Sequence, residues 1–236
     1  EQLLERVNGA GKPVVLVLMN GSALAVNWAD KHVPAIVEAW YPGMEGGHAI
    51  ADMLFGDCNP GGKLPVTFPR QLPDSPAHRS IRQYPGDGVT VHYDEDVFIG
   101  YRHFDAKNIE PLFPFGHGLS YTSFSYDGLA LDRSALKEEQ TIHISLTLTN
   151  SGKRAGVEVV QLYLSNPQCS QPRPPQELKG FERISLEAGE SREVRFKLHT
   201  KDLAFFDEAS GEWLAEDGLY RVCIGASSRD IRLEQD

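Results

Sequence analysis

Apolar residues in the first 70 positions form short continuous runs that are separated by turn residues. Runs of this kind are typical of strands buried on both faces of a parallel sheet. They predict three strands, at residues 14–19, 35–40 and 63–68. Apolar residues at helical spacing predict helices at residues 1–9, at residues 23–31, and along the stripe Ala49, Ile50, Met53 and Leu54 that ends at Gly56. This alternation implies parallel pairing with crossover helices, an α/β architecture.

From about residue 119 the pattern changes to alternation of apolar and polar residues. The alternating apolar positions are Ile142, Ile144, Leu146, Leu148, Val160, Leu162, Leu164, Val194, Phe196, Leu198, Tyr220, Val222 and Ile224. Turn residues punctuate these runs at 150–152, 188–189 and 217–218. Several alternating strands over about 100 residues indicate an antiparallel β-sandwich. The predicted fold class is therefore α/β followed by all-β.

Residues 69–118 lie between these two regions and carry six prolines and seven aromatic residues. A flexible linker is rich in Gly and Ser and lacks aromatic residues in such number, so we expect an ordered connection. The predicted domain organisation has three parts: the α/β part at 1–75, the inter-domain connection at 76–118 and the β-sandwich at 119–236.

The charge pattern excludes two classes of partner. Lys and Arg number 23 against 33 Asp and Glu, a formal net charge of −10. The sequence has no basic stripe for nucleic acid and no Lys/Arg cluster for an anionic membrane surface. The longest apolar run, residues 14–19, is far shorter than the about 20 residues that span a bilayer. We expect neither nucleic acid nor membrane as a partner.

Cys58, Cys169 and Cys223 are widely spaced and odd in number, with no CxxC or CxxH pair. We therefore expect three buried thiols with at most one disulfide, and no structural zinc site. The chain opens inside a helical pattern without an initiator Met, which indicates a piece of a longer protein. Localisation stays open between cytoplasmic, periplasmic and secreted.

The turn at residues 42–48, between a predicted strand and a predicted helix, is the first candidate for chemistry. Its backbone N–H groups can hold an anion or a sugar hydroxyl, and Glu45 falls at the helix start, where the helix dipole favours a carboxylate. No nucleotide-binding pattern is present. A structural role of Glu45 and its glycines is favoured over a contact with ligand.

Two further segments are weaker candidates for a functional site. The turn at residues 57–63 has glycines that can supply positive φ, and its Lys63 is expected to be solvated or bonded to the turn. The stretch 94–96, Asp-Glu-Asp, lies near His92 and His103 but lacks the ligand spacing of known metal sites, so a solvated acidic bend is favoured. From the residues alone, no catalytic, cofactor-binding or metal-binding residue is assigned.

Longer motifs stand at four places, AWYPGMEGG at 39–47, NPGGKLPVTFP at 59–69, GYRHFD at 100–105 and EPLFPFGHGLSY at 110–121. In this order they closely resemble the C-terminal half of glycoside hydrolase family 3 enzymes of the β-glucosidase type. The resemblance spans essentially all 236 residues.

The resemblance implies an enzyme with a TIM-like barrel, an α/β sandwich domain and a fibronectin type III-like domain. This chain would be the C-terminal part of the second domain and the whole third domain. The implied activity is retaining, exo-acting hydrolysis of terminal β-linked glucose from oligosaccharides or glucosides, by two carboxyl groups about 5–5.5 Å apart and without a cofactor or metal. The family's Asp nucleophile and Glu acid/base are expected upstream of Glu1, so no catalytic residue is carried over.

In that enzyme the chain would supply a wall of the site and structural support, with the upstream barrel of the same protein as its partner. A homo-oligomer stays possible. One alternative is a β-xylosidase or related exo-glycosidase, because the residues that select the sugar are expected on the barrel. An alternative of another class is a non-catalytic carbohydrate-binding or interaction module. Such modules usually present a row of exposed aromatics, and in the sandwich half Trp213 is the main candidate while the other aromatics are expected mostly in the core.

Overall fold

The first part of the chain folds around two short parallel strands. The computed structural model describes residues 1–137 and 139–236. Strands β1 (Val15–Leu18) and β2 (Ala35–Glu38) pair in parallel. The helices of this α/β unit are α1 (Gln2–Asn8), α2 (Asn27–His32) and α3 (Gly46–Phe55). The predicted alternation is confirmed for these five elements. No helix in the described residues combines the length and the apolar character needed to cross a membrane.

The prediction of a third strand, at residues 63–68, is wrong. This segment lies antiparallel to residues 112–117, and the backbone N–H of Phe68 donates to the carbonyl of Phe113 at 2.8 Å. Only an isolated bridge results, because Pro65 interrupts the segment and has no N–H to donate to a ladder. The apolar run therefore packs against the connection instead of extending the parallel sheet.

The parallel strands are also less buried than their apolar runs predict. Val15 and Met19 are exposed, and helix α1 buries none of its residues. A parallel strand is shielded when helices cover both faces of a sheet, and the two strands here lack that cover. The apolar faces of this unit are therefore accessible in the chain taken by itself.

The second part of the chain is an antiparallel sandwich, as predicted. One sheet has the order β11–β10–β5–β6 and the other the order β3–β4–β7, while β8 and β9 form a separate hairpin. The strands are β3 (Phe124–Leu131), β4 (Thr141–Asn150), β5 (Gly156–Ser165), β6 (Glu177–Leu186), β7 (Ser191–His199), β8 (Phe205–Asp207), β9 (Glu212–Leu214), β10 (Arg221–Ser227) and β11 (Asp230–Gln235). A one-turn helix, α5 (Thr200–Leu203), follows β7.

Alternating apolar residues of both sheets fill the core of the sandwich. Ile144 and Leu148 of β4, Val160 of β5 and Ile224 of β10 are fully buried. Their neighbours in sequence point to the other face of each sheet, which is more exposed on β4 but is also largely buried on β5 and β10, where Gln161 and Cys223 lie. The period-two prediction is thus confirmed residue by residue, except that Tyr220 is half-buried and precedes its strand.

The cysteine prediction is wrong in part. Cys223 is buried on β10, whereas Cys169 is half-buried and Cys58 is exposed in the turn after α3. All three are free thiols in this structure.

The connection carries two 3₁₀ turns, Leu72–Asp74 and Pro76–His78, and helix α4 (Gly100–Ala106). Arg229, in the turn between β10 and β11, holds α4 against the sandwich. Its guanidinium donates to Asp105 Oδ1 at 2.6 Å and to the carbonyls of Phe104 and Ile109 at 3.2 Å each. This end of the connection therefore packs against the sandwich.

The aromatic residues of the connection divide into two groups. Phe104 is buried, and the ring of Tyr101 stacks on Phe115 with centroids 4.9 Å apart. Tyr84 and Tyr93 are instead exposed, so the expectation that the aromatics pack holds only beyond residue 99.

A matched pair of leucines measures how much the sandwich core contributes. Leu146 is buried between the sheets, and we expect Leu146→Ala to lower the free energy of unfolding by about 2–5 kcal/mol. Leu119 is exposed, so Leu119→Ala is expected to change it by less than about 0.5 kcal/mol. Urea unfolding followed by circular dichroism compares the two variants. Equal losses would contradict the assigned core.

Candidate functional site

The loops at the carboxyl ends of β1 and β2, residues 19–22 and 39–48, lie side by side; we call them the strand-end rim. Ligands of α/β proteins bind at this edge of a parallel sheet. Glu38, the last residue of β2, joins the two loops. Its Oε2 accepts a hydrogen bond from Asn20 Nδ2 at 3.3 Å, and its Oε1 accepts from the backbone N–H of Trp40 at 3.0 Å.

Close contacts fix the shape of the rim. A Cβ atom at position 21 would lie 2.7 Å from the ring of Tyr41, so the absence of a side chain at Gly21 lets this ring lie against the other loop. A Cβ at Gly46 would likewise lie 2.5 Å from the ring of Pro42. The ring of Trp40 meets Phe68 edge to face, with centroids 6.1 Å apart. The rim therefore has a defined conformation, and Trp40 anchors it to the segment that contains Phe68.

The outer surface of the rim is apolar and exposed. Met44 is 100% exposed and Tyr41 is 79% exposed. Met19, after β1, is exposed as well. Large apolar side chains that cluster in solvent usually mark a surface that meets another protein segment or a ligand.

Glu45 and His48 stand at the start of α3 on this surface. Glu45 is the N-cap residue, but its side chain makes no cap hydrogen bond. Its Oε2 lies 2.7 Å from His48 Nδ1, and both side chains are more than four-fifths exposed. The structure thus places Glu45 on the rim, where its carboxylate faces solvent and an imidazole rather than the helix N–H groups.

The α/β unit meets the sandwich through a buried ion pair. Lys63 Nζ lies 2.8 Å from Glu158 Oε1, and the two side chains are only 12% and 9% exposed. Nζ also donates to the carbonyl of Gly118 at 3.2 Å. The prediction that Lys63 is solvated or bonded to its own turn is wrong, because Lys63 instead contacts Glu158 and the carbonyl of Gly118.

Gly61 allows a close approach between chain segments, and the prediction that the glycines before Lys63 supply positive φ is wrong. A Cβ at Gly61 would lie 2.6 Å from Val157 on β5, so the chain can pass this near to the sandwich only without a side chain. Positive φ falls instead on Gly56, which ends α3 in the left-handed conformation.

Asn59 completes the junction between the two units. Its Oδ1 accepts from the hydroxyl of Ser120 at 3.0 Å and from the backbone N–H of Tyr121 at 2.8 Å. Its Nδ2 donates to the carbonyl of Ala155 at 2.9 Å. The motifs at 59–69 and 110–121 therefore come together here, where one side-chain amide bonds two backbone groups and one hydroxyl from two other segments.

Two histidines have lowered pKa values, His117 close to Lys63 and His103 on α4. Burial lowers the pKa of His117, and the nearby Lys63 ammonium lowers it further. Burial likewise lowers the pKa of His103, with added repulsion from Arg79 and Lys107. His103 is almost fully buried, and its Nε2 has no hydrogen-bond partner in the described residues.

The acidic stretch at 94–96 serves local structure. Asp94 lies 3.5 Å from Arg82, and Glu95 accepts a hydrogen bond from Gln83 at 3.1 Å. In residues 1–137 and 139–236, no three His, Cys, Asp or Glu side chains are grouped so that they could hold a metal ion.

The remaining candidate, Trp213, lies on β9 and is 71% exposed. Phe206 and Phe181 are exposed too, so the expectation of a sandwich with mostly core aromatics has more than one exception. Sequence reasoning missed Glu38 and Glu158. Glu38 ends the apolar strand β2, and Glu158 stands between Val157 and Val159 of β5, so an acidic residue beside apolar strand residues is the signal that points to a buried partner.

Comparisons with known proteins find family models that match both parts of the chain. A model of the glycosyl hydrolase family 3 C-terminal domain matches residues 1–121, and a model of a fibronectin type III-like domain matches residues 158–228.

Two curated relatives match nearly the whole chain. The chain is 41% identical over 232 residues to beta-glucosidase BoGH3A of Bacteroides ovatus, covering 98% of the chain and 31% of that protein. It is 43% identical over 234 residues to thermostable beta-glucosidase B of Acetivibrio thermocellus, covering 99% of the chain and 30% of that protein. The chain therefore spans about a third of the length of the relatives that it matches.

Two solved structures superpose on nearly the whole chain. A GH3 beta-glucosidase of Bifidobacterium adolescentis superposes with a TM-score of 0.93 at 38% identity, over 99% of this chain and 34% of that one. The beta-D-glucoside glucohydrolase of Trichoderma reesei superposes with a TM-score of 0.90 at 33% identity, over the same shares of the two chains.

The buried ion pair predicts an asymmetric response to substitution. We expect Lys63→Met to lower the free energy of unfolding by about 3–5 kcal/mol, because Glu158 stays buried without its partner. The double variant with Glu158→Met is expected to recover part of that loss. The matched control is Arg195→Met in an exposed pair, which should cost little or nothing. Urea unfolding distinguishes these cases; a double variant no more stable than Lys63→Met would refute the coupling.

The buried His103 predicts loss of stability in acid. Its pKa is lowered in the folded chain, so as pH falls below about 6.5 the unfolded chain binds the proton first and the folded state loses stability. We expect His103→Leu to show a smaller drop in melting temperature between about pH 7.5 and pH 5.5 than the parent chain. Exposed His48→Leu should leave that drop unchanged. Equal drops for His103→Leu and the parent would contradict this assignment.

Proposed function

The chain belongs to glycoside hydrolase family 3, and from that membership we propose that it is the C-terminal portion of a retaining, exo-acting β-glucosidase. The proposed reaction releases terminal β-linked glucose from oligosaccharides or glucosides. The observation that carries the proposal is an identity of 41–43% to named beta-glucosidases along 98–99% of the chain. The same identity makes β-glucosidase the favoured activity over the alternative of a β-xylosidase.

In this proposal the strand-end rim forms part of the wall of the active site. Its exposed residues Tyr41 and Met44 would contact the upstream barrel or the substrate, which accounts for apolar side chains left in solvent in this chain. Because Gly21 allows the two loops to lie against each other, the rim presents one continuous surface. A rigid wall helps catalysis by holding the substrate in the reactive geometry.

The sandwich would keep that wall in position. Trp40 of the rim contacts Phe68, and the segment that contains Phe68 begins at Lys63. Lys63 is bound to Glu158 on β5 of the sandwich. A chain of contacts therefore runs from the rim to a strand whose core side chains are fully buried. This supports a bracing role for the sandwich.

We propose that both catalytic carboxyl groups come from the upstream part of the protein. A general acid of a glycosidase needs a raised pKa, which burial in an apolar pocket supplies. Glu45, the carboxylate on the rim, is instead exposed beside His48. The role of this chain is then to position and enclose the substrate rather than to transfer a proton.

The test uses the 236-residue chain alone and joined to the upstream segment that the proposal requires. An aryl β-glucoside is the substrate, and an aryl β-xyloside is the comparison. We expect turnover only from the longer protein, with the glucoside preferred, because loss of catalytic carboxylates costs several orders of magnitude in rate.

Glu45→Gln in the longer protein is the control. It is expected to keep kcat within about threefold, since a solvated carboxylate away from the reacting atoms contributes little to the transition state. Turnover by the chain alone, or a loss of several orders of magnitude in Glu45→Gln, would overturn the proposal. A preference for the xyloside would establish the alternative activity.

A further inference from the structure

We propose that the sandwich carries a binding site for a neutral oligosaccharide chain, in a cleft of about 1460 Å³ at the end of the sandwich beside the β8–β9 hairpin. We call it the Trp213 cleft. Residues that carry the argument are Ile142, Leu164, Thr200, Asp202, Trp213 and Asp217, all of which line it. The proposal goes beyond the hydrolysis of glucosides and concerns binding of a longer saccharide by this domain.

The cleft lies at the end of the sandwich opposite the α/β unit. Strand β4 has Ile142 in the cleft wall and ends at Asn150, whose Oδ1 accepts from Thr122 near the junction. Eight residues of strand at about 3.3 Å each separate the two ends by about 26 Å. Strand β5 runs the other way, from the junction to Leu164 in the cleft. Packing of the α/β unit on the sandwich therefore leaves the cleft open.

Trp213 supplies an aromatic surface at the edge of the cleft. The side chain is 71% exposed, although large aromatic residues are usually buried in most of their surface. Phe206 lies directly opposite on β8, and the two rings meet edge to face with centroids 5.8 Å apart. This contact favours the observed orientation of the indole, which lowers the side-chain entropy that binding would cost.

The hairpin that carries Trp213 is itself anchored to the sandwich. The guanidinium of Arg173 lies 5.7 Å from the ring centroid of Phe205 on β8 and donates to the carbonyl of Leu203 at 2.9 Å. The same Arg173 forms a largely buried ion pair with Glu177 of β6 at 3.0 Å. The aromatic surface is thus fixed relative to the cleft.

The lining matches a neutral sugar better than other ligands. A pyranose ring has an apolar C–H face that packs on an aromatic ring and hydroxyl groups that hydrogen-bond to carboxylates and hydroxyls. The cleft offers both kinds of partner, the indole of Trp213 with the polar side chains of Thr200, Asp202 and Asp217, of which Thr200 also donates to the carbonyl of Lys137 and Asp202 also accepts from the backbone N–H of His199. Acidic side chains outnumber the two lysines of the lining, so the cleft opposes phosphate-bearing and acidic ligands, as does the net charge of −10. We therefore assign the cleft to a neutral saccharide.

Isothermal titration calorimetry of the 236-residue chain tests the assignment with cellohexaose and maltohexaose as neutral probes and a heparin hexasaccharide as the charged probe. We expect saturable binding of at least one neutral probe. Trp213→Ala should weaken that binding by about tenfold or more, as is usual when a central aromatic contact is removed. Trp213→Phe, which keeps an aromatic ring, should weaken it less.

Phe181→Ala is the matched control, because Phe181 is an exposed aromatic residue on β6 outside the cleft and its loss should leave binding unchanged. Melting temperatures of all variants establish that they are folded. Failure of both neutral probes to bind, binding that survives Trp213→Ala, or tighter binding of heparin would overturn the proposal. So would self-association that depends on Trp213, measured by analytical ultracentrifugation, because a second copy would then occupy the cleft. None of these outcomes bears on whether the longer protein hydrolyses glucosides.

Discussion

The contact between Lys63 and Glu158 is the constraint on which the arrangement of the two units depends. Removing two charges from water is costly, and only close pairing with further hydrogen bonds repays the cost. One charge comes from the α/β part and the other from a central strand of the sandwich. Separation of the two units breaks the pair but returns both charges to water, whereas an arrangement that buries only one of the two charges is strongly destabilised. The pair therefore favours this relative orientation of the two units over packed arrangements in which either charge is buried alone.

Much of the fold could be predicted because it depends on local pattern. In the sandwich, alternation of apolar residues reflects one buried face of each strand, and the buried residues Ile144, Leu148 and Val160 follow it. The prediction of a strand at residues 63–68 was wrong because the pairing of this segment is decided by residues 112–117, about 50 positions away, and by a proline within it. The prediction that Cys58 is buried was wrong for a related reason, because distant parts of the chain decide whether the turn after α3 is covered.

The candidate site could be located only through the motifs that resemble a family. The geometry that gives those motifs meaning is non-local, as in the contact between Gly21 and Tyr41 across two loops. Spacing along the chain cannot show such contacts. An acidic residue beside apolar strand residues, as at Glu38 and Glu158, is a local sign of a buried polar contact, but it does not identify the partner.

The bonds of Arg229 bear on how domains of this kind can be exchanged between proteins. This one side chain, from the turn after β10, holds Asp105 and the carbonyls of Phe104 and Ile109. In mechanical terms helix α4 belongs to the sandwich, although it precedes the first sandwich strand by about twenty residues. A chimaera joined at residue 119 would separate the arginine from its three acceptors, whereas a junction placed before Gly100 would transfer them together. The segment that has to be transferred intact is therefore longer than the strands of the sandwich alone.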